Sequence, residues 1–308
     1  MRTNQSLFTL FLLFICTVSC VGISQKDKNA EPKTLIIGHR STGTGVNEGF
    51  IENTLPAAKE ALLYIDGVEA DIQLSSSLTP WIYHDDLFHH LCGETDSILK
   101  AEGYTCIVNT PDSIIEKILI CQEGAKDRIY KLEELFIELA KDKDKIVSLD
   151  IKGYYDSTCV NTKNVGWDYL DNLALAIYHL AKTYKVIPQI IIETDYDYIF
   201  QKIKELDKDI ACHFMIYNNL ADKIDFALEL EVDGITVNMH DESFHLDEIE
   251  RAKREGLKVQ LWIAAIQEHL STALKYKPYA IQLSNLNLIR SYADSIPHPQ
   301  ENKNQLSN

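Results

Sequence analysis

Val68-Glu69-Ala70-Asp71-Ile72 reads as a buried strand that carries two acids, and it is the strongest indication of the fold in this sequence. Glu69 and Asp71 are two residues apart, so both side chains of a strand here point to the same face. The apolar residues around them indicate a strand that is covered on both sides, as in a parallel sheet. Two inward carboxylates without a cation would repel each other and be poorly solvated. The stretch therefore predicts a barrel strand whose acids hold a divalent metal ion.

Two apolar runs near this strand end in a histidine and a charged residue. They read LIIGHR at residues 35–40 and WIYHD at residues 81–85, and the tripeptide ENT lies between them at residues 52–54. His39 and His84 can move protons near neutral pH, and Arg40 can hold phosphate oxygens in a fork. Together with the two acids, these residues predict a site that cleaves a phosphodiester.

Short β-branched runs alternate with longer helical stretches, which indicates βα units around a parallel sheet. We predict eight strands, at residues 35–39, 68–74, 146–151, 189–193, 211–217, 234–238, 258–263 and 279–283. Helices are predicted at residues 54–64, 132–141, 169–184, 198–206, 221–230, 246–255 and 266–275, the first of them capped by Asn53 or Thr54. The fold class is therefore α/β, a TIM (β/α)8 barrel, with a short extension at residues 81–84 and an insertion at residues 86–128 after the second strand.

The composition limits the possible partners. The chain has 308 residues, 45% of them hydrophobic, and a net charge of −16 at pH 7. This length suits one large α/β domain. The sequence lacks the basic stripe that nucleic-acid binding needs, and its acidity disfavours unaided binding to anionic lipid. We therefore expect a small-molecule phosphodiester substrate and no nucleic acid, and we leave the oligomeric state open.

The N-terminus reads as a targeting segment. Arg2 precedes an apolar run that is too short for a transmembrane helix and is typical of a signal peptide. Val18-Ser19-Cys20 is similar to the end of a bacterial lipobox, which predicts an exported lipoprotein anchored at Cys20, in the periplasm or at the cell surface. The alternative is an ordinary cleaved signal. The predicted divisions are a signal peptide at residues 1–20, a tether at 21–32, the barrel at 33–294 and a polar tail at 295–308.

Five cysteines lie outside the leader, and export permits disulfides. Cys92 and Cys106 both fall in the predicted insertion and are the most plausible pair, while buried free thiols are the alternative. His89 and His90 precede Cys92, but no fourth ligand follows at a sensible spacing. We therefore predict no metal site in that loop.

The ordered motifs resemble those of the glycerophosphodiester phosphodiesterase family. That family has His-Arg after its first barrel strand, then Glu-Asn-Thr, Glu-x-Asp and His-Asp, and all four occur here in that order within fewer than fifty residues. The resemblance implies a TIM barrel with its chemistry at the carboxyl ends of the strands. It also implies products of glycerol 3-phosphate and an alcohol such as choline or ethanolamine.

The motifs and the resemblance together assign roles to individual residues. His39 and His84 are the expected acid and base, with either assignment open. The expected metal ligands are Glu69, Asp71, Asp150, where the family usually has glutamate, and Glu52, which could instead orient a histidine. Arg40, Lys152 and Trp262 are expected to bind substrate. Ligands that are all oxygen favour Ca2+ or Mg2+.

Two rival functions are compatible with parts of this pattern. A phospholipase-like barrel acting on intact lipid would need an apolar rim near residues 86–128, which are only mildly apolar. A catalytically silent lipoprotein that binds phosphodiesters would be favoured by loss of either histidine, and both are present. The chain departs from the family pattern in parts that face the substrate, with Ser41 for glycine, Ile263 for threonine, and Ser284-Asn285 for Thr-Asp.

Overall fold

The computed structural model describes residues 33–153, Cys159 and residues 167–295. The predicted signal peptide and tether, and all but the first residue of the predicted tail, lie outside the described residues. Within those residues, no helix has both the length and the apolar character needed to cross a bilayer.

Eight parallel strands form a closed barrel. They are β1 (Leu35–Gly38), β2 (Gly67–Leu74), β3 (Ile146–Ile151), β4 (Ile190–Thr194), β5 (Ala211–Ile216), β6 (Gly234–Asn238), β7 (Lys258–Ala264) and β8 (Ala280–Leu283). Each strand pairs with the next in the chain, and β1 pairs with both β8 and β2, which closes the ring. The predicted TIM barrel is therefore confirmed.

Among the residues that the structure describes, eight helices follow the strands around the barrel. They are α1 (Leu55–Leu62), α2 (Leu132–Leu139), α3 (Trp167–Tyr184), α4 (Asp197–Leu206), α5 (Leu220–Glu229), α6 (Leu246–Arg254), α7 (Gln267–Lys275) and α8 (Leu286–Ser295). The sequence analysis missed α8, a short helix that buries Leu286, Leu288 and Ile289. At the start of α1 the cap is Thr54, whose hydroxyl accepts the Ala57 N–H.

The strands alternate between two environments. In β2 and β3, Val68, Ala70, Ile72, Val147 and Leu149 are buried in the apolar core beneath the helices. The residues between them are polar, and they face the barrel interior because side chains alternate along a strand. The register of β2 against β3 sets Asp71 beside Asp150. The alternation that forms the apolar core therefore also brings Asp71 and Asp150 side by side.

The predicted insertion is an ordered layer attached to β2. A strand at Pro80–Ile82 runs antiparallel to the end of β2, and Tyr130–Lys131 pairs with it on the return. Between them lie helices at Gly93–Glu102 and Asp112–Ile115, a 3-10 turn at Ile107–Asn109, and a hairpin of Leu119–Gln122 with Ala125–Arg128. The layer has a core of its own, built around Trp81, Leu99, Ile107, Ile115 and Ile118.

Elsewhere, the described residues include a small hairpin of Val46–Asn47 with Phe50–Ile51 and a 3-10 turn at Ile187–Gln189.

The predicted pairing of Cys92 with Cys106 is wrong. The disulfides join Cys92 to Cys121 and Cys106 to Cys159. The insertion folds back on itself, and Cys121 N–H donates to the His90 carbonyl while Cys92 N–H donates to the Leu119 carbonyl. This pairing of distant segments brings Cys121 to Cys92, and the sequence spacing gave no sign of it.

Candidate active site

A cavity of about 140 Å³ lies at the carboxyl ends of the barrel strands. Eight of the nine predicted site residues line it, namely His39, Arg40, Glu69, Asp71, His84, Asp150, Lys152 and Trp262. The ninth, Glu52, lies behind Arg40. Residues that are far apart in the sequence meet here because parallel strands all end at the same rim of a TIM barrel.

Three carboxylates form the centre of the cavity. Glu69, Asp71 and Asp150 are all buried, and each offers an oxygen that lies within 4.8 Å of the others. Glu69 Oε2 accepts the Arg40 backbone N–H at 2.7 Å, whereas Glu69 Oε1 has no hydrogen-bond partner among the described residues. A buried oxygen without a partner costs free energy unless a ligand satisfies it.

The electrostatics of these acids show an excess of negative charge. Burial, and then the charge of Asp71, raises the pKa of Glu69 well above its ordinary value. Burial also raises the pKa of Asp150, to about 6. Burial would raise the pKa of Asp71 as well, but Lys152, His84 and Arg40 outweigh it and hold that pKa below its usual range.

The residues present fit a divalent cation. The cavity holds four acids, with Glu193 as the fourth, against the two cations Arg40 and Lys152. The possible ligands are all carboxylate oxygens, which suit a hard cation such as Ca2+ or Mg2+. The unpartnered Glu69 Oε1 supplies one ligand atom without the loss of any existing hydrogen bond.

Glu52 lies outside this group of three acids. Its Oε1 accepts from the Arg40 guanidinium at 2.9 Å, and its Oε2 accepts the Gly45 N–H. The Arg40 guanidinium also lies 3.6 Å from Asp71 Oδ2. The contacts of Glu52 are therefore those of a residue that orients Arg40.

His39 follows β1 and is nearly enclosed. Its Nε2 lies 4.0 Å from Glu69 Oε2, and its Nδ1 lies 3.4 Å from the Ser284 hydroxyl at the end of β8. Burial, and then the positive charge of Arg40, lowers the pKa of His39 to about 3. His39 is therefore a neutral imidazole near neutral pH.

His84 is more open to solvent than His39. Its Nδ1 lies 2.7 Å from Asp85 Oδ1, and this hydrogen bond is the main cause that lowers the pKa of Asp85. A carboxylate that accepts from Nδ1 keeps the proton on that nitrogen, so proton exchange takes place at Nε2. The two imidazoles that line the cavity therefore have different surroundings: His39 is nearly enclosed, whereas His84 is more exposed and paired with Asp85.

Lys152 and Trp262 both line the cavity. Lys152 Nζ lies 2.8 Å from Asp71 Oδ1 and 2.5 Å from Asp150 Oδ2. Trp262 lies near the end of β7, and its ring meets the edge of Tyr217 with centroids 5.7 Å apart and planes at 85°. The cavity is therefore lined by charged side chains and by an aromatic wall, which Trp262 and Tyr217 form.

The sequence analysis missed the contact of Asn53 with the acids. We expected a helix cap, but Asn53 Nδ2 donates to Asp71 Oδ2 at 2.6 Å and the Asp71 N–H donates to Asn53 Oδ1 at 3.2 Å. Asn53 has a φ of +55°, which lifts its side chain away from α1 toward β2. The Glu52-Asn53-Thr54 motif was the available signal. Because Thr54 caps the helix, the polar side chain of Asn53 directly before it is not needed for the cap.

Glu193 of β4 is a second residue whose surroundings the sequence did not predict. It lies beside Asp150 and accepts hydrogen bonds from Gln260, Gln282 and Thr236. Burial, and then the charge of Asp150, raises its pKa to about 8. The fourth acid of the cavity is therefore a carboxyl group that uncharged donors hold in place.

Comparison with known proteins gives a family match along most of the chain. The model of the glycerophosphoryl diester phosphodiesterase family matches residues 39–282. This range begins at His39 and ends at Gln282, so it contains every residue predicted for the site. No curated protein matches the chain.

Solved structures share the fold. A glycerophosphodiester phosphodiesterase from Parabacteroides distasonis is 13% identical, with a TM-score of 0.66, and the match covers 86% of this chain and 99% of that one. An Oleispira antarctica phosphodiesterase, solved with the product sn-glycerol-3-phosphate, is 18% identical, with a TM-score of 0.66 and coverage of 86% and 97%. A third, from Thermotoga maritima, is 17% identical, with a TM-score of 0.60 and coverage of 85% and 100%. At these identities the likeness concerns the barrel.

Proposed function

Because the chain belongs to the glycerophosphoryl diester phosphodiesterase family and is a phosphoric diester hydrolase, we propose that it cleaves glycerophosphodiesters to glycerol 3-phosphate and an alcohol. The observation that carries this proposal is the group of Glu69, Asp71 and Asp150 beside two imidazoles at the barrel mouth. The Oleispira antarctica neighbour, solved with sn-glycerol-3-phosphate, supports the same product here.

Glu69, Asp71 and Asp150 would hold a divalent cation, which when bound supplies Lewis-acid stabilisation of the charge that develops on the phosphoryl oxygens. Asn53 fixes the orientation of Asp71 through its two hydrogen bonds. The Arg40 backbone N–H fixes Glu69 in the same way. The ligand oxygens are thus held in position before any substrate enters.

Arg40 and Lys152 would bind the phosphodiester. Both line the cavity, and both are held next to carboxylates that keep them charged. A guanidinium forms two parallel hydrogen bonds with phosphate oxygens, and an ammonium offers a compact charge. The two cations together can orient the phosphorus for attack.

His39 and His84 would transfer protons. One imidazole accepts a proton from the attacking hydroxyl, and the other donates one to the leaving alkoxide. Asp85 supports His84 in either role, because it holds the ring and stabilises an imidazolium. Because burial holds the pKa of His39 low, its ring starts a turnover as the neutral imidazole.

The aromatic wall would bind the apolar carbon atoms of the substrate. Trp262 and Tyr217 stand together at that side of the cavity, and Met215 also lines it. Such a surface favours the hydrocarbon backbone of glycerol over water, because it removes apolar area from solvent. Trp262 therefore serves to position the substrate, and it takes no part in proton transfer.

A product assay tests the proposed reaction. The full chain is incubated with glycerophosphocholine, and glycerol 3-phosphate and choline are measured separately. We expect the two products in equal amounts, no products after treatment with a chelator, and recovery when Ca2+ or Mg2+ is added back. Hydrolysis that continues at full rate in metal-stripped protein would remove the cation from the proposal.

The residues before the barrel carry a separate proposal, that the protein is exported and anchored to a membrane through lipid on Cys20. This proposal rests on Val18-Ser19-Cys20 after the apolar run. We expect the protein to fractionate with membranes and Cys20→Ala to release or mislocalise it. Because lipid alone supplies the anchor, a chain that starts near Gln25 should be soluble and active. A mature N-terminus at another residue without lipid, read by mass spectrometry, would reject the proposal.

A further inference from the structure

Lys152 lies between two of the three acids that would bind the cation. Its ammonium is 2.8 Å from Asp71 Oδ1 and 2.5 Å from Asp150 Oδ2. The side chain is only 18% exposed, and desolvation makes a buried ion pair of this kind sensitive to the position of each charge. Lys152 thus places a positive charge between two of the three acids.

The other partners of these acids are fixed in place. Asp71 Oδ2 accepts from Asn53, whose amide is itself anchored by the Asp71 N–H. Glu69 Oε2 accepts from the backbone of Arg40. The Lys152 ammonium, by contrast, sits on a flexible four-carbon stem and borders an open cavity. The ammonium can therefore leave the two aspartates without movement of the backbone.

We propose that Lys152 competes with the divalent cation for Asp71 and Asp150, and that a phosphate group relieves this competition. The proposal rests on the cation site of the proposed function and adds a coupling between cation and substrate. A phosphodiester in the cavity offers the ammonium another anionic partner, which frees oxygens of the two aspartates. Binding of one ligand then strengthens binding of the other, and thermodynamic linkage requires the effect to be equal in both directions.

Calorimetric titration of Ca2+ into the full chain tests the competition without any measurement of turnover. Lys152→Met removes the ammonium but keeps an unbranched side chain of similar length. Its matched control is Lys204→Met, which changes the net charge equally at Lys204, whose ammonium pairs with Asp233 at 2.7 Å, just before β6. We expect Lys152→Met to bind Ca2+ alone at least about tenfold more tightly than the unaltered protein, and Lys204→Met to differ by less than about twofold.

A second titration, with glycerol 3-phosphate present, tests the coupling. The unaltered protein should bind Ca2+ about five- to fiftyfold more tightly with this ligand than without it. Lys152→Met should show a smaller gain, and Lys152→Arg, which keeps the charge, should behave like the unaltered protein for Ca2+ alone. Circular dichroism establishes that each variant is folded. If Lys152→Met does not fold, Lys152→Gln takes its place.

The outcomes separate this inference from the function on which it rests. Equal Ca2+ affinity in the unaltered protein and the folded Lys152 variants, or weaker affinity in the variants, overturns the competition and leaves the cation site standing. No binding of Ca2+, or of Mg2+ titrated in its place, by any of the proteins overturns both. A gain from glycerol 3-phosphate that is the same with and without Lys152 assigns the coupling to direct contact between cation and phosphate, and also overturns the inference.

Discussion

The barrel and the insertion are stabilised in different ways. In the barrel, one alternation along β2 and β3 puts apolar residues under the helices and acids into the cavity. In the insertion, a core around Trp81 is supplemented by two disulfides that join distant segments. A repeated local pattern can thus specify fold and site together, whereas a layer without such a pattern depends on contacts that form only in the folded chain.

The two regions meet at His84. The strand Pro80–Ile82 pairs with β2 and leads directly to His84 and Asp85, so one of the two imidazoles belongs to the stem of the insertion. His39 comes from the barrel itself. How far the chemistry depends on each region can be tested with variants in one region and matched controls in the other.

The largest effect is expected from Asp71→Asn in the barrel. The change removes one charge of the cation site while it preserves the shape of the side chain. Because a bound cation contributes several kcal/mol to the transition state, we expect hydrolysis of glycerophosphocholine to fall at least about a thousandfold. Product assays and Ca2+ titration measure the two losses.

Asp112→Asn in the insertion is the matched control. Asp112 accepts hydrogen bonds from Ser75, Thr79 and Trp81, so its loss should cost about 1–3 kcal/mol of stability and change hydrolysis by less than about tenfold. If Asp112→Asn reduced hydrolysis as much as Asp71→Asn does, the separation of roles between the two regions would be wrong.

The next effect concerns the two histidines. His39→Ala and His84→Ala should each lower turnover by about two to four orders of magnitude, the usual contribution of a general acid or base. Because the two proton transfers belong to one concerted step, the double variant should be little worse than the worse single variant. Turnover numbers from initial rates give the comparison.

A substrate with a better leaving group assigns the two roles. It should restore turnover to the variant that lacks the acid, because that alkoxide no longer needs a proton, and it should not help the other variant. Near-normal turnover in both single variants would contradict the proposed pair. Selective rescue of His84→Ala would place the acid on the stem of the insertion.

A smaller effect is expected from the double change Cys92→Ser and Cys121→Ser. The disulfide closes a loop with a sequence separation of 29, and the loss of such a closure costs about 3 kcal/mol. We expect faster hydrogen exchange in the insertion between Gly93 and Arg128, with barrel peptides unchanged and hydrolysis within about tenfold.

Cys212→Ser is the control for this change, since Cys212 is a buried free thiol in β5. It removes a sulfur from the barrel but no covalent link, and it should leave exchange in the insertion as it was. Faster exchange in the barrel after loss of the Cys92 to Cys121 bond would show that the two regions unfold together.

The smallest effect tests a buried polar group in the barrel that lies away from the cavity. Burial, and then the charge of Lys258, lowers the pKa of His213 to about 3, and neither ring nitrogen has a hydrogen-bond partner in the described part of the chain. The unfolded histidine, with a pKa near 6.5, takes up a proton first as the pH falls. The contribution of neutral His213 to the free energy of unfolding is therefore complete above about pH 6.5, and it decreases progressively as the pH falls toward 3.

His213→Leu should remove this dependence. Between pH 7 and pH 5 the free energy of unfolding should fall by about 2 kcal/mol less in the variant than in the unaltered protein, because each pKa unit corresponds to about 1.4 kcal/mol. Urea denaturation at the two pH values measures the difference. The same fall in both proteins would mean that His213 is protonated in the fold or reached by water.

The barrel and most of its cavity were predictable because their signals are local. The spacing of Glu69 and Asp71 sets a common face in any strand, and the closure of eight strands then brings Asp150 and Lys152 to the same rim. His39 and His84 were predictable for the same reason, since each lies within two residues of the end of a strand.

What the sequence could not predict depends on backbone turns and on contacts across the fold. Asn53 reaches Asp71 only because its φ is positive, and Glu52 reaches Arg40 because the turn after β1 also has positive φ at Arg40 and Ser41. The disulfides required knowledge of how the insertion folds back. Glu193 carried no local sign that three uncharged donors would surround it.

The stem of the insertion has a consequence for how proteins of this design can be altered. Trp81 pairs with Lys131 and Ile82 with Tyr130, so the chain leaves and re-enters the barrel through neighbouring strands about 4.8 Å apart. Provided that His84 and Asp85 stay in the stem, the segment beyond Asp85 can be shortened, lengthened or exchanged for another without a change in the path of the strands that carry the acids. Cys159 is the second attachment, and a transplanted segment would have to supply a partner for it or be accompanied by its removal. The layer above the barrel is in this sense a replaceable module, through which selection or an engineer could change what reaches the acids while the acids stay where they are.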